Sequence, residues 1–200
     1  MTAGAIPVAA LRRLLTPPDI QTRERCELCG TPLPGDHGHV VDIRSRRMLC
    51  TCTVCHGSTG SYRPVPARYV HVPSMTISPE QWDALSIPVG LAFFLFNSTL
   101  GRIVACYPGP AGAAESVLPL DVWSALVDAR SWIDTLTPDV EALLVRRTGV
   151  EYDCFIVPID ACYELVGRIK ASWRGMSGGP HLQQEIDTFF AAVLGRSRAS

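Results

Sequence analysis

Cys26-Glu27-Leu28-Cys29-Gly30 and Cys52-Thr53-Val54-Cys55-His56-Gly57 are two similar knuckles, separated by 22 residues. In each, the two intervening residues turn the backbone so that both sulfurs converge, with nearby N–H groups pointing at them. Gly30 and Gly57 allow the left-handed backbone that closes such turns. Between the knuckles, residues 39–43 and 47–49 read as strands, with Arg44-Ser45-Arg46 as the reversal. Two knuckles at opposite ends of a hairpin complete a tetrahedron of sulfurs. Four protein ligands leave no position for water, so the spacing predicts a structural ion held by Cys26, Cys29, Cys52 and Cys55.

Zinc is the expected ion, on ligand type and on the absence of other redox signatures. Iron in a rubredoxin-like arrangement is the alternative, since four thiolates also suit iron. Against it, neither knuckle carries the proline common in rubredoxins. Cys50 is an alternative ligand, because Cys50-Thr51-Cys52 offers another pair, but only Cys52 repeats the two-residue gap of the first knuckle. His37, His39 and His56 lie close enough in sequence to substitute, yet with four cysteines present they read as surface or hairpin histidines. A divalent ion in four thiolates leaves a local charge of −2, which Arg23, Arg25, Arg46 and Arg47 flank.

The chain has 200 residues, enough to bury a core without disulfides, so its eight cysteines need another explanation. Arg12 and Arg13 follow the first apolar residues, the reverse of a secretory signal, and the most apolar stretch, residues 87–96, is about half the ~20 residues a membrane span needs. A cytoplasmic protein without a transmembrane segment is expected. Paired thiols in a reducing compartment are metal ligands more often than disulfides. Net charge is −1, but residues 1–70 carry nine arginines against five acids, and the remainder nine basic against fourteen acidic residues. The two parts are expected to attract. A neutral total argues against a dedicated nucleic-acid binder, which needs basic excess to displace phosphate counterions.

The organisation expected is an N-terminal arm at residues 1–25, a zinc-ribbon-like module at 26–72 and an α+β domain at 73–200, with an antiparallel sheet and several helices. The patch at residues 9–15 of the arm is ended by Pro17-Pro18. Residues 62–72 read as a proline-interrupted edge strand or a linker. Ser78-Pro79-Glu80-Gln81 predicts a capped helix over 79–85. Strands are expected at 89–96, 102–107, 140–146 and 152–157, and a helical region at 120–136. Cys162, Leu165, Val166, Ile169 and Trp173 share one helical face, and residues 182–194 form a last helix burying Ile186, Phe189, Phe190 and Val193. Strand pairs with helices between them argue for α+β rather than a doubly wound parallel sheet.

Outside the knuckles no catalytic set is visible. Cys106, Cys154 and Cys162 lie in apolar segments and read as small buried hydrophobes. Asp153 and Asp160 stand near them without a histidine at a recognisable spacing, and His181 reads as an exposed helix-start residue. The glycine-rich loop at 173–180 lacks the Gly-Lys-Ser/Thr ending of a phosphate loop and reads as a helix stop.

The order of these features resembles an uncharacterised actinobacterial family encoded beside uptake nickel-iron hydrogenases. It is carried by the first knuckle with Pro32-Leu33, by Leu49-Cys50-Thr51-Cys52-Thr53-Val54-Cys55, and by Ala92-Phe93-Phe94. It continues through Pro138-Asp139-Val140-Glu141-Ala142-Leu143-Leu144-Val145, Val157-Pro158-Ile159-Asp160, and Trp173-Arg174-Gly175 with Ser177-Gly178-Gly179-Pro180. The match runs from about residue 25 to 190. The resemblance implies a non-catalytic accessory, maturation or complex-associated protein, with nickel-iron hydrogenase subunits or assembly factors as partners. The resemblance carries over no catalytic residues. A rubredoxin-like redox accessory and a zinc-ribbon regulator binding nucleic acid through Arg44, Arg46, Arg47, Arg63 and Arg68 stand as alternatives.

Overall fold

The computed structural model describes residues 24–57, 60–73, 77–85, 87, 89–109, 112–116, 132–173 and 179–198. A three-stranded antiparallel sheet contains β1 (Gly38–Asp42), β2 (Arg47–Thr51) and β3 (Tyr62–Pro64) in the order β2-β1-β3, with the short helix α1 (Thr53–His56) following β2. The second sheet is built from β4 (Val70–His71), β5 (Leu91–Asn97), β6 (Arg102–Gly109), β7 (Gly112–Ser116), β8 (Glu141–Thr148) and β9 (Glu151–Pro158). Its order is β4-β9-β8-β5-β6-β7, and every pairing is antiparallel. Helix α2 (Pro79–Ala84) precedes β5, while α3 (Ile159–Ser172) and α4 (Gly179–Arg198) close the chain. The fold is α+β, with a small ribbon ahead of an antiparallel sheet and its helices, as the sequence predicts.

Both faces of the larger sheet are covered, which is why β8 is apolar over a continuous run instead of alternating. Leu144, Phe93, Phe155 and Val157 face α3 and α4, against Cys162, Leu165, Ile169, Phe189 and Phe190. On the opposite face Leu143, Val145, Phe94 and Ile156 meet Trp82 and Leu85, together with Ile133 and Leu136. The adjacent pairs Phe93/Phe94 and Leu143/Leu144 therefore supply one side chain to each core. Helix α2 starts in a complete capping box: Ser78 Oγ accepts from Gln81 N at 3.2 Å, and Gln81 Oε1 accepts from Ser78 N at 2.7 Å.

Three elements differ from the sequence expectation. Residues 62–72 hold β3 and β4, edge strands of two different sheets, with residues 65–69 between them; an edge is the position that Pro64 requires, and Pro66 lies in the connection. The expected boundary at 72/73 falls just after β4, so the larger sheet takes one strand from the chain ahead of it. Strand β7 has no apolar alternation to announce it, and pairs with β6 through small residues such as Ala113 and Ala114. Helix α4 runs four residues beyond Leu194 to Arg198. Beyond Leu194, Arg196 lies over the Tyr69 ring at 5.2 Å and donates to its hydroxyl at 2.7 Å. The expected arm up to residue 23, most of the helical region at 120–136, and the centre of the glycine-rich loop lie outside the described residues. Among the described residues, no helix is long and apolar enough to cross a membrane.

Candidate metal centre

The first knuckle is a tight antiparallel turn. Arg25 bridges Pro32, Cys26 N donates to Thr31 O at 2.8 Å, and Gly30 N donates back to Cys26 O at 2.8 Å. Gly30 sits at φ +77°, the left-handed conformation its lack of Cβ permits. Glu27 fastens this turn to β2 twice: its N–H donates to Cys50 O at 2.9 Å, and its carboxylate accepts from Cys50 N at 2.8 Å. The second knuckle differs in form. Cys52 caps α1 and His56 N donates to Cys52 O at 2.8 Å, so the chain closes by a helical turn. Gly57 consequently has φ −79° and not the left-handed backbone expected of it.

These turns bring Cys26, Cys29, Cys52 and Cys55 together, with all four sulfurs within 4.8 Å of one another. Cys29 Sγ and Cys52 Sγ are 3.7 Å apart. A tetrahedron with metal–sulfur bonds of ~2.3 Å has edges of ~3.8 Å, so the Cys29–Cys52 pair stands at the separation a four-thiolate ion imposes and the other sulfurs lie within about 1 Å of it. Cys26 is buried, Cys52 and Cys55 are half-buried, and Cys29 is exposed, leaving one flank of the cluster toward solvent.

The thiols respond in opposite directions to this crowding. Burial by itself would raise Cys26, but backbone hydrogen bonds from Cys52, Cys29 and Leu28 outweigh it and lower the thiol to about 6. Cys29 is lowered by the Thr31 hydroxyl and backbone. Cys55, facing Cys29 and Cys52, is pushed up to about 12. A bound cation would reverse that last effect, because a coordinating thiol loses its proton outright. The four residues fit a metal ion of thiolate preference, and the cation would fasten the two knuckles across the hairpin.

Cys50 does not join this cluster. It groups with His37 and His39, two histidines read from sequence as surface or hairpin residues, with ligand atoms again within 4.8 Å of one another. His39 also meets Asp160 at 2.9 Å, across 121 residues of chain. No sequence spacing could announce that pair, although a lone acid at the start of an apolar helix was its trace. The third histidine, His56, packs its ring where a Cβ on Gly38 would come within 2.6 Å, and its Nδ1 is buried without a partner. Cys106, Cys154 and Cys162 are buried as expected, and burial pushes Cys106 and Cys154 up to about 12 and Cys162 well upward.

Three of the ribbon's arginines reach carboxylates of the acidic part of the chain, and a fourth pairs within the ribbon. Arg46 pairs with Glu115 at 3.2 Å, Arg63 with Asp139 at 3.0 Å, and Arg68 with Glu141 at 2.7 Å; Arg47 reaches Glu27 at 3.5 Å. Asp139 and Glu141 are buried at the head of β8. Asp139, at φ +69°, also accepts from Ser98 N at 2.8 Å, and Glu141 from Thr137 N at 2.8 Å. The uneven charge of the two parts thus becomes a set of specific contacts between ribbon and sheet.

A family model described as a family of unknown function, DUF5947, matches residues 25–197. Neither a curated protein nor a solved structure matches the chain.

Proposed function

We propose that this chain, which belongs to the DUF5947 family of unknown function, is a non-catalytic accessory protein of a nickel-iron hydrogenase, acting in maturation or within the assembled complex. Zinc held by Cys26, Cys29, Cys52 and Cys55 braces the ribbon as a docking element. The observation that carries this reading is the closed set of four converging sulfurs. Four thiolates saturate the preferred coordination of zinc and leave no site for substrate or water. Val54, between two of the ligands, is 84% exposed, so an ion there would fix an apolar side chain outward for contact. The hydrogenase partner and the cytoplasmic location follow from the sequence resemblance and from the thiol-rich composition.

Four of the five arginines invoked for nucleic-acid binding, Arg46, Arg47, Arg63 and Arg68, are paired with carboxylates of the same chain, which weighs against that alternative. One observation favours the iron alternative: exposed Cys29 would give electrons a route to the ion. A red form that is reversibly reduced would support it, whereas colourless zinc protein would remove it. The functional reading is tested in a deletion strain by hydrogen uptake and large-subunit processing, with complementation by the wild-type gene and by Cys26→Ser. Loss of both activities, restored only by the wild type, is expected. Normal uptake and processing without the protein, with no hydrogenase component recovered beside it, would refute the reading.

A further inference from the structure

We propose that His37, His39 and Cys50 form a second metal site, separate from the four-thiolate cluster, which takes a divalent transition-metal ion and keeps one coordination position open. The antiparallel register places His39 directly opposite Cys50, so both side chains leave the ribbon on the same face. His37, just ahead of β1, brings its ring to 5.0 Å from that of His39, and the three ligand atoms lie within 4.8 Å of one another.

The hydrogen bonds decide which nitrogen of each ring is left free to bind an ion. His37 Nδ1 is 3.0 Å from Pro34 O, and His39 Nδ1 is 2.9 Å from Asp160 Oδ2. A carbonyl and a carboxylate can only accept, so each Nδ1 carries the proton and each neutral ring keeps its lone pair on Nε2. Metal-binding histidines are held in this way, with the other nitrogen donating to a carbonyl or carboxylate that fixes ring and tautomer. His37 Nε2 is buried without a partner, in a side chain only 7% exposed. Buried polar atoms are costly to leave unpaired, and a cation would satisfy this one.

The supporting groups are themselves held. Asp160 accepts from Ala161 N at 2.8 Å through its other oxygen, in the first turn of α3. Glu27 grips both backbone groups of Cys50, which fixes the stretch of β2 that carries its sulfur. Glu24, 3.6 Å from His37, adds negative charge at the rim. Two imidazoles and one thiolate suit zinc, cobalt or copper and disfavour magnesium and calcium, which require oxygen donors. Three protein donors leave room for water or a small anion, unlike the closed sulfur cluster.

The test is titration of the full-length chain, reduced and stripped of metal, with Co2+, following absorption and stoichiometry. Two ions per chain are expected for the wild type and one each for His37→Ala and Cys50→Ser, with the absorption of the four-thiolate ion retained in both. Asp160→Asn should keep two ions but weaken one about 10- to 100-fold. A wild type saturated by one ion, or His37→Ala and Cys50→Ser proteins that still bind two, would overturn the proposal. Should both ligand variants lose their folded circular dichroism, Asp160→Asn decides: a weakened second ion supports the site and unchanged affinity refutes it.

Discussion

Replacing Arg68 by alanine tests how the ribbon is fastened to the sheet. Glu141 is 1% exposed at its side chain and receives two hydrogen bonds from Arg68, at 2.7 and 2.9 Å, while the arginine itself is 44% exposed. Removing one partner of a fully buried pair costs about 3–5 kcal/mol. Here water reaches the arginine end, and Thr137 N remains on Glu141 at 2.8 Å, so a loss of about 2–3 kcal/mol is expected. For a chain of this size that lowers the melting temperature by about 4–12 °C. Burial alone would raise Glu141, but Arg68 and Thr137 outweigh it and hold the carboxyl below its usual 4.5. The wild-type contribution is therefore present above about pH 4.5 and is lost as pH falls through the depressed folded value. Without Arg68, burial dominates, and protonation relieves the buried charge. Urea unfolding at pH 7 and pH 4 should show the gap between the two proteins narrowing in acid. A loss below about 0.5 kcal/mol, or a gap that widens in acid, would refute this account of the pair.

Two further outcomes follow from the same geometry. A strong chelator should strip amide-exchange protection from residues 26–56, where a structural ion contributes on the order of 10 kcal/mol in small modules, while β5, β8 and β9 stay protected by their two-sided core; simultaneous loss in both regions would show that the ribbon and sheet unfold as one. Ser78→Ala should cost about 1 kcal/mol in urea unfolding, because it breaks one arm of the capping box at α2, and Ser78→Asp should recover most of that loss.

The legible parts of the chain were those in which a local pattern fixes the outcome. The Cys-x-x-Cys spacing announced the sulfur cluster, Ser78 and Gln81 announced the start of α2, and the helical spacing of Cys162, Leu165, Val166 and Ile169 announced the buried face of α3. Patterns that depend on distant chain stayed hidden. The division of residues 62–72 between two sheets is decided by which strand edges are free, and β7 exists because β6 offers it an edge. His39 became more than a hairpin residue only when folding brought Asp160 to it, and Cys50 separated from Cys52 only when strand register placed it opposite His39. The hydrogenase partner proposed above rests on the sequence resemblance, and no geometry encodes it.

Elemental analysis of the full-length chain, purified without added metal, beside the Cys26→Ser/Cys29→Ser double variant addresses the four-thiolate centre most directly. The sulfurs of these residues belong to the four that lie within 4.8 Å of one another, so removing both leaves half of a tetrahedral donor set. The double variant is expected to carry one zinc per chain fewer than the wild type, with iron negligible in both. Equal metal content in the two proteins would contradict it.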